Sequence, residues 1–294
     1  MPLSIRQVGP CFVGEASGLD LTKPLSPQDI AAIHEGMDKH AVLIFHDQAF
    51  TDEQQLAFTQ GLGKIELAIA TSLRRPEENR LPETFADISN LDKNNRPFAR
   101  DDRRRLYAIG NRLWHSDSSF KAIPAKYSLL HARSVTSKGG NTEFADMRAA
   151  YDALDRETKE RVEGLICEHS QRFSRAKLGF TEFSADELER MRPVRQRLVR
   201  THPSTGRKSL YLSSHAGTIL GWPEPEAKAF LMDLMEAATQ RELVYAHKWR
   251  VGDLVMWDNR QTMHRAREFP HDEVRDMRRT TLMGDAPTVE QQAA

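Results

Sequence analysis

Apolar positions change their period along the chain. Between Ser26 and His40, residues Ile30, Ile33, His34 and Met37 recur at helical spacing, and Ser26 followed by Pro27 is a helix-opening pair. The unbroken apolar run Ala41–Phe45 predicts a short buried strand. Thr51 with Gln54 three residues later predicts a capping box that opens a second helix over Thr51–Gly61. From Ala70 to Gly110 the pattern dissolves into Pro, Asn, Asp and Arg, with Ala86–Leu91 as a strand-like island. So long a stretch without periodicity reads as a flap or lid. Beyond it, short runs bounded by Gly, Pro or Asp predict strands at Tyr127–Val135, Leu165–Ser170, Ser209–Ser213, Lys248–Trp257 and Met277–Met283. Helices are predicted at Met147–Glu163 and Pro225–Thr239. The sum is one domain over residues 1–294, mainly β with helical insertions. We expect a double-stranded β-helix, or jelly roll, with flanking helices and a flap loop over residues 70–110.

Composition narrows the function classes. Hydrophobic residues make up 39% and charged residues 29% of 294 positions, and no apolar run approaches the ~20 residues needed to cross a bilayer. Met1–Gly14 lacks the basic start, apolar middle and cleavage site of a secretory signal, so a cytoplasmic protein without a membrane partner is expected. Lys plus Arg and Asp plus Glu both number 42, leaving no net positive charge to favour nucleic acid. Cys11 and Cys167 cannot form a disulfide framework or a clustered thiolate site and read as incidental thiols. Arg100, Arg103, Arg104 and Arg105, within the flap, read as a solvated charged surface.

Chemistry concentrates in Trp114-His115-Ser116-Asp117-Ser118. In extended backbone, residues two apart point to one side, so His115 and Asp117 can offer an imidazole and a carboxylate to one ion. A third ligand must come from elsewhere, and His264, just beyond the strand-like Asp253–Trp257, is the leading candidate. Two imidazoles and one carboxylate on one face of an octahedral metal leave three open positions, as in non-haem Fe(II) oxygenases. Three protein ligands plus water also describe catalytic zinc, so the triad alone leaves both readings open.

Arg275 follows His264 by eleven residues, and Arg279 follows four later. On a strand these two would face the same way as Met277. Buried guanidinium groups are costly unless paired, so two inward arginines imply two acidic ligands, each gripped in a bidentate fashion that Lys could not reproduce. The competing reading is a salt-bridged outer strand, and that is the expectation for Arg267 and Arg278.

Taken together, the blocks Leu113–Phe120, Gly139–Leu154, Leu198–Ser209 and Trp249–Leu282 resemble the taurine and 2,4-dichlorophenoxyacetate dioxygenase family, more closely its 2,4-dichlorophenoxyacetate branch. The resemblance runs from Gly18-Leu19-Asp20-Leu21 to Gly284-Asp285. It implies that His115, Asp117 and His264 bind Fe(II) and that Arg275 grips the far carboxylate of 2-oxoglutarate, assisted by Thr142. It also implies that Arg279 pairs with the acidic group of the substrate, and that Asn111 and His215 border the substrate pocket. Dioxygen would be the second co-substrate, ascorbate a stimulant, and a homo-oligomer the assembly. The implied reaction hydroxylates a small acidic aromatic substrate, an aryloxyacetate such as 2,4-dichlorophenoxyacetate, and cleaves its ether to a phenol and glyoxylate while releasing succinate and CO2. The alternatives are a taurine, alkylsulfonate or sulfate-ester dioxygenase, or an aryloxypropionate dioxygenase. The segment Glu66–Arg80, where family members diverge most, carries no alignment.

Overall fold

The computed structural model describes residues 2–68 and 79–290. The first part of the expected flap, residues 70–78, lies outside the described residues, as does much of Glu66–Arg80. The largest sheet has seven strands in the order Ser4–Gln7, Gly14–Ser17, Val42–Phe45, Leu254–Asp258, Tyr127–Ser134, Asp276–Thr281 and Ala86–Asp87. Gly14–Ser17 and Val42–Phe45 run parallel, and the other pairings are antiparallel. A second sheet joins Val244–His247, Thr142–Asp146 and Thr262–Ala266.

Strand alternation explains why both faces of the large sheet are apolar. Val42, Ile44, Leu130, Val255, Trp257 and Met277 point to one side and pack with Phe144 of the second sheet, which closes the sandwich. Their neighbours Leu43, Phe45, Leu129, Leu254 and Met256 point to the other side. There they meet Ile33 and Met37 of helix Pro27–His40 and Phe58 and Leu62 of helix Asp52–Leu62. A strand buried on both faces reads as a continuous apolar run, which is the pattern of Val42–Phe45. The same period-two rule sorts the second sheet. Ala145 and Met263 turn outward to a cluster with Leu231 and Leu234 of helix Glu224–Ala238, so Phe144 and His264 turn inward.

Both predicted caps are present. Ser26 accepts from the Asp29 amide and Thr51 from the Gln54 amide, each as a reciprocal capping box. Other elements differ from expectation, for local reasons. The helix predicted over Met147–Glu163 is two, Met147–Ala153 and Arg156–Val162, because the Asp155 carboxylate accepts the Thr158 amide at 2.8 Å and starts a new helix. The strand predicted over Lys248–Trp257 is confined to Leu254–Asp258. Ahead of it, Gly252 adopts φ 87° and Asp253 accepts the Arg250 amide, making a turn. Ser209–Ser213 pairs only as Lys208–Leu210, and Ala86–Leu91 only as Ala86–Asp87. The strands Thr142–Asp146 and Thr262–Ala266 lie outside the predicted ones, since each is short and mixes polar with apolar residues.

One buried carboxylate organises the connection between the two sheets. Asp258 ends a strand of the large sheet, and four residues later Thr262 begins the strand that carries His264. The Asp258 carboxylate accepts from Arg260 Nε at 2.9 Å, Arg260 Nη2 at 2.7 Å, the Arg260 amide at 2.9 Å and Gln261 Nε2 at 2.8 Å. Burial opposes its ionisation, but Arg260 and His202 outweigh burial and hold the carboxyl below its usual range. Asp258→Ala would leave Arg260 buried without its close partner, and we expect a loss of about 3–5 kcal/mol in urea unfolding. Because folding lowers this pKa, the contribution is complete above the unfolded value near ~3.9 and is lost on acidification below it. The gap between wild type and variant should therefore narrow in that acid range.

Candidate active site

The triad is assembled by backbone pairing. His115 and His264 form an isolated antiparallel bridge, with the His115 amide on the His264 carbonyl at 3.0 Å and the reverse bond at 2.8 Å. That bridge sets the two imidazoles side by side, centroids 4.2 Å apart. Asp117 faces them, its Oδ1 3.9 Å from His115 Nε2 and its Oδ2 3.7 Å from His264 Nε2. One donor atom from each of the three lies within 4.8 Å of the others, and all three residues are buried.

Protonation suits a cation. Burial pushes both imidazoles below their usual pKa, so each is neutral and its Nε2 can offer a lone pair. His115 Nδ1–H donates to the Leu113 carbonyl at 2.8 Å, which orients the ring and leaves Nε2 facing Asp117. Burial opposes ionisation of Asp117, but the Arg279 guanidinium and the Ser128 hydroxyl favour it and hold the carboxyl below its usual range. Its oxygens are fixed from outside, by Arg279 Nη1 at 2.5 Å on Oδ1 and Ser128 Oγ at 2.7 Å on Oδ2. Asn259 completes the frame. Its Oδ1 accepts the Asp117 amide at 3.0 Å and Trp257 Nε1 at 3.1 Å, while its Nδ2 donates to Ser128 Oγ at 2.9 Å.

Two cavities open on this triad. The smaller is bordered by His115, His264, Thr142, Asn111, Arg275 and Arg279. Arg275 immediately precedes strand Asp276–Thr281 and is only 4% exposed. Its Nη1 donates to the Ile88 carbonyl at 3.1 Å, and no carboxylate pairs with it among the described residues. Burial pushes this guanidinium down to about 10. Thr142 begins its strand after Gly139 and Gly140, and its Oγ1 accepts Trp249 Nε1 at 3.0 Å. At Gly139 a side chain is excluded, since a Cβ would stand 2.2 Å from the Glu268 carbonyl oxygen and φ is +70°.

The larger cavity is walled by Phe85, Tyr107 and Phe120 and reaches His115, Asp117, Asn111, His215, Arg175 and Arg279. His215 is buried and held neutral by burial, its ring edge-on to Phe120 at 5.0 Å and to His115 at 6.0 Å. Arg279 borders both cavities. The carboxylate it meets is Asp117 itself, so the cost of burying this guanidinium is already met within the chain, contrary to the inference that an acidic ligand must do so. Arg278 and Arg267 are ion-paired, Arg278 with Asp52 and Asp276 and Arg267 with Glu143 at 3.6 Å.

The eight residues that sequence reasoning brought forward all border one of these cavities, and it missed Ser128, Asn259 and Arg175. Ser128 and Asn259 carry no local signal, because their role depends on which strands are neighbours. Arg175 had one: Gln171, Ser174 and Arg175 share a helical face at i, i+3 and i+4, and that polar face is the buried one. His264→Ala is expected to abolish Mn(II) binding followed by electron paramagnetic resonance. Asn259→Ala should weaken it on the order of 10–100-fold. Unchanged affinity in Asn259→Ala would remove its positioning role.

Comparison with known proteins agrees with this geometry. A family model described as Taurine catabolism dioxygenase TauD, TfdA family matches residues 4–281. The alpha-ketoglutarate-dependent 2,4-dichlorophenoxyacetate dioxygenase of Cupriavidus pinatubonensis is 43% identical over 286 residues, covering 97% of this chain and 99% of the relative. The (S)-phenoxypropionate/alpha-ketoglutarate-dioxygenase of Sphingobium herbicidovorans is 37% identical, covering 84% and 83%. The crystal structure of AAD-2 in complex with Mn(II) and N-oxalylglycine superposes with a TM-score of 0.96 at 56% identity, covering 98% of this chain and 100% of that one. The jelly-roll sandwich, the buried His-Asp-His cluster and these likenesses agree, and the chain belongs to the taurine catabolism dioxygenase TauD, TfdA family.

Proposed function

We propose that this protein is an Fe(II)- and 2-oxoglutarate-dependent dioxygenase that hydroxylates aryloxyacetic acids, with His115, Asp117 and His264 holding the metal. The observation that carries the reading is a buried triad shared by two cavities, one ending on the Arg275 guanidinium, which no carboxylate meets among the described residues, and the other walled by three aromatic rings. When bound, Fe(II) and 2-oxoglutarate supply the oxidising power, by decarboxylation to succinate and CO2 at the expense of O2. A zinc hydrolase with the same ligands would leave Arg275 buried with no counter-charge to explain it.

The chain's own residues bind and orient. Arg275 takes the far carboxylate of 2-oxoglutarate, which supplies the counter-charge missing in the folded chain, and the Thr142 hydroxyl, already accepting from Trp249, can donate its proton to the same group. Arg279 keeps Asp117 ionised and turned toward the imidazoles, and its Nε, buried without a partner, remains for the substrate side. Phe85, Tyr107 and Phe120 enclose the aryl ring, with Asn111 and the neutral His215 beside it. Such a fit presents the carbon between ether oxygen and carboxylate to the metal face, and orientation of this kind can contribute on the order of 7 kcal/mol or more. Hydroxylation there gives a hemiacetal that collapses to a phenol and glyoxylate.

Succinate and phenol yields with Fe(II), ascorbate, 2-oxoglutarate and a panel of aryloxyacetates, aryloxypropionates, taurine and alkyl sulfates test the reading. Aryloxyacetates should give the greatest stimulation; stimulation by taurine or sulfate esters alone would reassign the substrate. Arg275→Gln should raise the KM for 2-oxoglutarate ~10–100-fold, the scale of hydrogen bonds to a charged group. Arg279→Ala should damage both metal retention and substrate KM, because one side chain serves both.

A further inference from the structure

Three arginines with buried side chains are matched within the chain: Arg148 with Asp146 at 2.8 Å, Arg260 with Asp258 at 2.7 Å, and Arg80 with Asp276 at 2.6 Å. Arg275, Arg175 and Arg200 have no carboxylate within ion-pair distance among the described residues. Arg200 lies 4.7 Å over the Tyr211 ring within the field of Asp258 and borders none of the cavities described above. Arg275 faces the co-substrate cavity. Arg175 faces the larger one.

Arg175 is the fifth residue of helix Gln171–Ala176 and is 5% exposed. Its Nη1 donates to Ser174 Oγ at 3.0 Å, its guanidinium stacks 4.2 Å over the Tyr107 ring, and its Nε is buried without a partner. Burial pushes its pKa down, and Tyr107 opposes that shift. An unmatched buried cation is costly, and neutral contacts to a hydroxyl and a ring do not cancel its charge. Room for the group is specific as well. A Cβ at Gly110 would stand 2.1 Å from Arg175 Nη1, so a side chain there would displace the guanidinium from its present place. The next residue, Asn111, borders the same cavity.

We propose that Arg175 is a second binding group for the substrate's carboxylate, acting beside Arg279 in the larger cavity; this rests on the aryloxyacetate reading above. Arg279 has already committed Nη1 to Asp117, whereas Arg175 presents its charge to the cavity with no acidic partner. The reacting carbon is bonded directly to the carboxylate, so a cation bordering the cavity that contains His115 and Asp117 is in the region where this group must lie. The aromatic walls then select the rest of the molecule, and Arg175 selects its acid.

Discrimination between an acid and its neutral analogue tests this. Wild type, Arg175→Met and Arg175→Lys are assayed with 2,4-dichlorophenoxyacetate and with 2,4-dichlorophenoxyacetamide, following phenol and succinate, with melting temperature alongside. Arg175→Met should raise the acid's KM ~10–100-fold, affecting KM more than kcat and the acid far more than the amide, so that the preference for acid collapses. Arg175→Lys should recover part of it. An unchanged acid KM, or acid and amide losses that fall together with the melting temperature, would overturn the assignment. If Arg175→Met does not fold, Arg175→Lys decides by the same acid-to-amide ratio. Wild type that turns over no aryloxy acid would defeat the substrate reading itself, whereas active wild type with an unaltered Arg175→Met defeats only this inference.

Discussion

Everything at the centre of this protein depends on keeping one buried carboxylate ionised. Asp117 is buried, and its ionisation is favoured by Arg279 and Ser128, which meet its oxygens from fixed directions. Ser128 and Arg279 stand on two strands of the large sheet and His264 on one of the second, and the two sheets are joined by the turn that Asp258 ties together. The His115–His264 bridge then makes the metal-facing geometry part of the sheet framework rather than a property of a loop. A site held this way is preorganised, because its supports are in place before any ion or substrate arrives.

The same accounting of buried charge distinguishes scaffold from site. Arg148, Arg260 and Arg80 each bridge segments and are matched by carboxylates of the chain. Arg275 and Arg175 are buried to a similar degree, but their missing counter-charges are adjacent to open space. An incoming dicarboxylate and an incoming aryloxy acid would therefore each complete an electrostatic arrangement that folding leaves unfinished. On the proposed reading, the stability given up in burying these groups would return as binding selectivity for anions over neutral analogues.

Much was legible without coordinates. Ser26 and Thr51 marked helix starts because capping is a local contest over free amides. Ala41–Phe45 marked a doubly buried strand because side-chain alternation cannot hide an apolar run. His115 and Asp117 shared a side for the same reason, and the spacing of Arg275 and Arg279 placed both on one cavity. Residue order and the chemistry of ligand types thus determined the class of fold and the His-Asp-His cluster. The tertiary structure alone decided which groups answer one another: that Arg279 meets Asp117, that Asn259 and Ser128 brace it, that Gly110 yields its side chain's place to Arg175, and that Lys248–Trp257 breaks at Gly252. Periodicity reports the face a residue occupies within its own element, whereas these contacts join segments distant in sequence and exist only once the strands have chosen their neighbours.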